Sequence, residues 1–196
     1  MKEAKDIDDS LEFLRSFEKH ANNTELGELV IQKLDHRNKS LNLQGNRFTE
    51  SDFKKLFSIE SLKYLKSISL SETGMTSKSI KHLCNSKWME HIETLSLCNN
   101  NLDDEGIFLL SKTTHLPQLT SLDLSSNEIG ALGAKVLSLS KSLNKVDNLN
   151  LSYNRIEPIG VHALINSNFG RQLKGLILRD TCLDNKGMEE FSKSCL

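Results

Sequence analysis

From residue 119 the chain alternates, with Leu119, Leu122 and Leu124 apolar and Ser121, Asp123 and Ser125 polar. A period of two is that of a half-buried strand, and Thr120 interrupts it only at the strand's start. The stretch continues through Asn127, Ile129, Gly133 and Leu137. The same pattern begins at Asn38, Leu65, Ile92, Leu119, Val146 and Leu173, each start 27 residues after the last and with no insertion. It predicts six parallel strands in one sheet, centred near residues 41, 68, 95, 122, 149 and 176. Each strand is expected to lead into a helix whose inward face carries Leu56, Leu83, Leu110, Leu137, Leu164 or Phe191.

Asn127 follows where the chain leaves the strand, and Asn46, Asn100 and Asn154 hold the same place. An amide there can donate to and accept from backbone groups that a turn leaves unpaired. Thr73 and Thr181 replace it in the second and last copies, so those turns are expected to be looser or partly water-filled. An apolar plug comes next: Phe48, Met75, Leu102, Ile129, Ile156 and Leu183. Gly106, Gly133, Gly160 and Gly187 then allow close approach of backbone at the start of the helix. One such unit cannot bury its own apolar edge, so neighbours must stack into a continuous core.

The strand–asparagine–plug–helix pattern over residues 38–196 resembles the leucine-rich repeats. Its 27-residue length and Gly-x-x-x-Leu helix are similar to those of the ribonuclease-inhibitor-like class. The resemblance implies an α/β solenoid, curved, with a parallel β-sheet on the concave side and helices on the convex side. It also implies a protein-binding scaffold, the usual occupation of that class. The class contains the GTPase activator of Ran as well, which keeps GTPase activation as an alternative.

Residues 1–36 lack the strand motif. Ile7, Leu11, Leu14 and Phe17 fall at helical spacing, and so do Leu26, Leu29, Val30 and Leu34 after a break at Asn22–Thr24. This segment reads as an α-helical N-terminal cap, or alternatively as a partner-binding arm, ahead of a repeat domain at 37–196. After Phe191 no polar cap is evident before Leu196, so the last strand is expected to present an open edge. A continuation of the chain within a larger multidomain protein, or a dimer, would cover it.

Lysine plus arginine number 25 against 26 aspartate plus glutamate, which removes any general pull toward nucleic acid. No membrane span and no secretory signal are expected. Cys98 and Cys182 lie three repeats apart, roughly 14 Å at the usual strand spacing, too far for a disulfide. Cys84 and Cys195 are four repeats apart. Unbridged cysteines point to a reducing, cytoplasmic setting. The six histidines form no metal-ligand spacing and no nucleotide or hydrolase motif is present, so neither metal, cofactor nor enzymatic activity is expected. Asp103-Asp104-Glu105 reads as a solvated helix entry and Lys54-Lys55 as a wet convex face. Trp88 is expected to pack between the links that join helix to strand.

Set in columns, the outward residues of the strands are small and polar through Ser40, Asn42, Ser69, Ser71, Ser96 and Cys98. Only the C-terminal end offers the Tyr and Arg that dominate binding energy at interfaces. There Tyr153, Arg179 and Ile177 come together with Asp180, Asp123, Asn150 and Arg155 as the candidate protein-binding surface. The competing interpretation is that small polar residues merely solvate the sheet and that Glu128 pairs with Arg155. Lys, Asn and Ser richness resembles effectors that intracellular bacteria secrete, which would place the chain in a host cytosol acting on a host protein.

Overall fold

The computed structural model describes residues 15–19 and 24–182. Six strands stand on the expected comb: β2 (Ser40–Asn42), β3 (Ser67–Ser69), β4 (Thr94–Ser96), β5 (Ser121–Asp123), β6 (Asn148–Asn150) and β7 (Gly175–Ile177). All five pairings among them are parallel and in 27-residue register, Leu41 beside Ile68, Leu95, Leu122, Leu149 and Leu176 in turn. The helices that follow are α2 (Glu50–Leu56), α3 (Ser77–Cys84), α4 (Asp104–Lys112), α5 (Ala131–Ser138) and α6 (Glu157–Ile165), with a short α7 (Asn168–Gln172) before β7. Leu56, Leu83, Leu110, Leu137 and Leu164 are fully buried between helix and sheet, and so are Leu43, Leu70, Leu97, Leu124 and Leu151 at the strand ends. Leu183, Gly187, Phe191 and Cys195, and Ile7, Leu11 and Leu14, lie outside the described residues.

The segment before the first repeat differs from the expectation of helix throughout. Residues 15–19 are helical with Phe17 buried, and α1 (Glu25–Gln32) is capped by Thr24, which accepts from Gly27 N. Leu34–Asp35 then form a strand, β1, antiparallel to β2. The Asp35 carboxylate drives the reversal by accepting from the amides of Arg37 and Asn38 and from the Asn38 side chain. That hairpin occupies the edge that β2 would otherwise leave unpaired.

The asparagine positions form a ladder along the core. Asn127 Nδ2 donates to Leu97 O, Leu124 O and Ser125 O at 3.0–3.1 Å, and its Oδ1 accepts from Leu102 N at 3.0 Å. Asn100 and Asn154 repeat the arrangement, each serving its own repeat and the one before it. The Thr73 turn is not loose: Thr73 is fully buried and its hydroxyl donates to Leu70 O at 2.7 Å. Asn100 supplies what threonine lacks, since its Oδ1 accepts from both Thr73 N and Met75 N. Thr181 is buried likewise, donating to Leu178 O.

The helices are capped within and between repeats. Thr49 and Thr76 form capping boxes with Asp52 and Ser79, and Asp103 accepts from the Glu105 and Gly106 amides. Asp104, expected to be merely solvated, accepts from Gly130 N at 2.7 Å and Gly133 N at 2.9 Å, so it caps the next helix. Gly133 is needed for that contact, because a Cβ there would lie 2.5 Å from Asp104 Oδ1.

Candidate functional site

Past the end of each of β2 to β7 comes a left-handed residue: Gly45, Glu72, Asn99, Ser126, Tyr153 and Asp180 have φ between 50° and 78°. The conformation turns the chain from sheet toward plug and holds the side chain at the rim of the concave face. Non-glycine residues adopt it at a cost. At Tyr153 the turn is pinned by Tyr153 N donating to Arg179 O at 2.7 Å and by Arg179 N donating to Ser152 Oγ at 3.2 Å. Tyr153 is 51% exposed.

The structure brings Tyr153, Arg179, Ile177 and Asp180 together. The Arg179 guanidinium lies near the Tyr153 phenol and the Asp180 carboxylate, and these neighbours, Tyr153 first, hold the Arg179 pKa above its ordinary value. Ile177, paired across the sheet with Asn150, is 55% exposed. An aromatic and a planar cation therefore meet at the rim, with an exposed apolar residue two positions before Arg179 on the last strand.

The other candidates have internal tasks or stand apart. Asp123 Oδ1 accepts from Ser125 N and Ser125 Oγ at 2.9 and 2.6 Å, and Asn150 Oδ1 accepts from Ser152 N at 3.1 Å. Both side chains close their own turns. Arg155 is exposed with its amide donating to Ile129 O, and among the described residues it forms no ion pair with Glu128. Glu128 instead takes a weak bond from Asn101 Nδ2 at 3.4 Å, because the repeat step sets it beside Asn101 as well as Arg155. The expected outward column also needs correction. Ser71, Ser125 and Ser152 are buried, tucked under the turn by bonds to Ser96 Oγ, Asp123 Oδ1 and Arg179 N.

Elsewhere, Lys39, Lys63, Tyr64, Lys66 and His91 line an open groove of about 550 Å³ at the strand-start rim. Lys63 and Lys66 there are paired with Glu60 and Glu93 at 2.7 Å. Trp88 is partly buried in a 3₁₀ turn with Lys87 Nζ 4.4 Å above its ring, as expected of a link residue. Cys84, Cys98 and Cys182 are unbridged. Among the described residues no group of acidic, histidine or cysteine side chains could hold a metal, and no helix is long and apolar enough to cross a membrane.

Sequence reasoning missed two features here. Asp104's reach across repeats was hidden because its partners lie 26 and 29 residues away. The second is an exposed apolar set on the convex side, Phe108, Leu132, Leu139 and Ile159. Its signal in the sequence is apolar residues at helix positions that are polar in other repeats, such as Leu132 against Ser51 and Lys78.

A family model described as a leucine-rich repeat matches residues 89–111 and 115–138. No curated protein matches the chain in sequence. Among solved structures the chain is similar to an internalin from Listeria monocytogenes, with 24% identity, a TM-score of 0.55 and 87% of this chain covered. The chain spans 42% of that internalin's length. It is also similar to the tropomodulin C-terminal domain from Caenorhabditis elegans, at 13% identity and TM-score 0.46, with 87% of this chain and 91% of that one covered. A plant peptide hormone receptor in complex with RGF2 follows at 19% identity and TM-score 0.37, covering 62% of this chain and 18% of that one.

Proposed function

Given that the chain is a leucine-rich-repeat protein, we propose that it is a non-enzymatic scaffold that binds a protein partner through the C-terminal end of its concave face. The observation that carries this reading is the exposed Tyr153–Arg179–Ile177 set, mounted on turns that the asparagine ladder and the inter-repeat backbone bonds hold still. A rigid mount limits the entropy lost on binding, and Tyr and Arg are the residues that most often dominate interfaces. Asp180 adds negative charge beside Arg179, so the partner surface is mixed rather than uniformly charged. The repeat length and helix pattern support the ribonuclease-inhibitor-like class, and the free cysteines support a reducing, cytoplasmic compartment.

The test is affinity capture from cell lysate with quantitative mass spectrometry, run with the wild type and with Tyr153→Ala/Arg179→Ala. A protein retained by the wild type and lost by the variant supports the site. Retention by both removes it. The bacterial-effector reading rests on composition alone. GTP hydrolysis measured against a panel of small GTPases separates a scaffold from an activator.

A further inference from the structure

The convex helices recur every 27 residues, so each repeat is a control for its neighbours. Along α2 and just past its end the outward positions are Ser51, Lys55 and Ser58, and along α3 and its C-cap they are Lys78, His82 and Asn85. On α5 and its C-cap the same three positions are Leu132, Val136 and Leu139. Leu132 is 61% and Leu139 71% exposed, although the opposite face of α5 already buries Gly133, Ala134 and Leu137 in the core. Helix α5 is apolar on both faces, a state normally found under cover. The neighbours extend the stripe. Ile159 on α6 is 71% exposed, and Phe108 on α4 occupies the place held by lysine at 54, 81 and 135.

Charge says what fits there. Phe108, Val136 and Leu139 floor a groove of about 340 Å³ between the C-terminal ends of α4 and α5. Lys112 and Lys141 flank it, and no carboxylate lines it. Lys112 Nζ lies 5.6 Å over the Phe108 ring. Among the described residues, Lys112, Lys135 and Lys141 have no ion-pair partner. The exposed apolar surface is on the order of 400 Å², at the scale of a functional patch. It falls short of the roughly 800 Å² per partner of a standard interface between two folded surfaces. Leu132 to Leu139 spans about 10 Å, two turns of a helix. A short helix reading i, i+4, i+7 is matched by such a stripe.

We propose that the convex face of the fourth repeat is a docking site for an acidic amphipathic helix of a partner protein. Its apolar edge lies over Leu132, Val136, Leu139 and Phe108, and its carboxylates reach Lys112 and Lys141. This surface is separate from the concave end and does not depend on it.

The test uses two fluorescein-labelled peptides of about 16 residues, long enough to sustain a helix. Both carry one leucine stripe, with glutamate at the polar positions of one and lysine at those of the other. Fluorescence anisotropy against the full chain is expected to show the glutamate peptide binding at least tenfold more tightly. Leu139→Asp, whose fold is checked by thermal melting, should weaken that binding at least tenfold. Lys112→Glu/Lys141→Glu should reverse the preference, and Tyr153→Ala should leave it unchanged. Equal affinities for the two peptides, or no binding of the glutamate peptide, overturn the proposal. So does a dimer in sedimentation velocity that Leu139→Asp abolishes, since a second copy would then be the occupant.

Discussion

Replacing Asn127 by alanine tests the ladder at its centre. The side chain makes four bonds, but they are not equally hard to lose. Leu97 O keeps Asn100 Nδ2 at 2.9 Å, Leu124 O keeps Asn154 Nδ2 at 2.9 Å, and Ser125 O keeps Asn99 N at 2.9 Å. Leu102 N has only Asn127 Oδ1. The truncation therefore orphans one buried N–H, worth about 1–3 kcal/mol, and removes a second donor from three carbonyls. A total of about 2–4 kcal/mol is expected, a large share of a typical 5–15 kcal/mol domain stability. Asn46→Ala is the control: Asn46 is only partly buried and donates to Leu43 O and Gln44 O, so about 1 kcal/mol or less is expected. Asn127→Asp adds a sign test. Its carboxylate would face three carbonyls, which raises its folded pKa above the unfolded value. The variant is then least destabilised below about pH 4 and loses further stability as pH rises toward the folded pKa. Urea melts followed by Trp88 fluorescence and by circular dichroism supply the numbers. Equal costs for Asn127→Ala and Asn46→Ala would refute the reasoning.

Asp104→Ala leaves Gly130 N and Gly133 N without their cap and should cost about 0.5–2 kcal/mol in the same melts, although it touches no residue of its own helix end. The Ser77 hydroxyl, and then the Gly106 and Glu105 amides, hold the Asp103 carboxyl below the usual range. Its contribution to stability is therefore present above the unfolded pKa of about 3.9 and lost as pH falls through the folded pKa, so Asp103→Asn should flatten the acid limb of a stability–pH curve. Burial pushes the Cys84 thiol up to about 12, while Cys182 is exposed. At pH 8 a thiol reagent should label Cys182 in the folded chain and reach Cys84 only in urea, as peptide mass mapping will show.

The repeat comb was legible because burial imposes the same period of two on every strand and the 27-residue step leaves no freedom of register. The asparagine role was legible too, although not that Asn127 serves the preceding repeat as well as its own. What escaped lies between repeats or in strands too short to carry a period. Strand β1 has two residues and is made by the Asp35 turn, not by alternation. The left-handed turn shows in sequence at Gly45, Asn99 and Asp180, residue types that tolerate it, whereas Tyr153 conceals it. Ser71, Ser125 and Ser152 alternate as outward residues should, yet the turn folds them under. At the candidate site, Tyr153, Arg179, Ile177 and Asp180 could be brought together on paper by column position. The turn-closing bonds of Asp123 and Asn150 required atoms.

The most direct test of the concave site is calorimetry of a captured partner against four folded variants. Tyr153→Ala and Arg179→Ala should each weaken binding by about 1–3 kcal/mol, the range of interface hot spots. Because Tyr153 and Arg179 are immediate neighbours, Tyr153 N donating to Arg179 O at 2.7 Å, the double variant should depart from the sum of the two. Ser69→Ala and Ser96→Ala, at the small polar end of the same face, should match the wild type. Equal affinities across all four variants would contradict the assignment and move the binding surface off the concave C-terminal end.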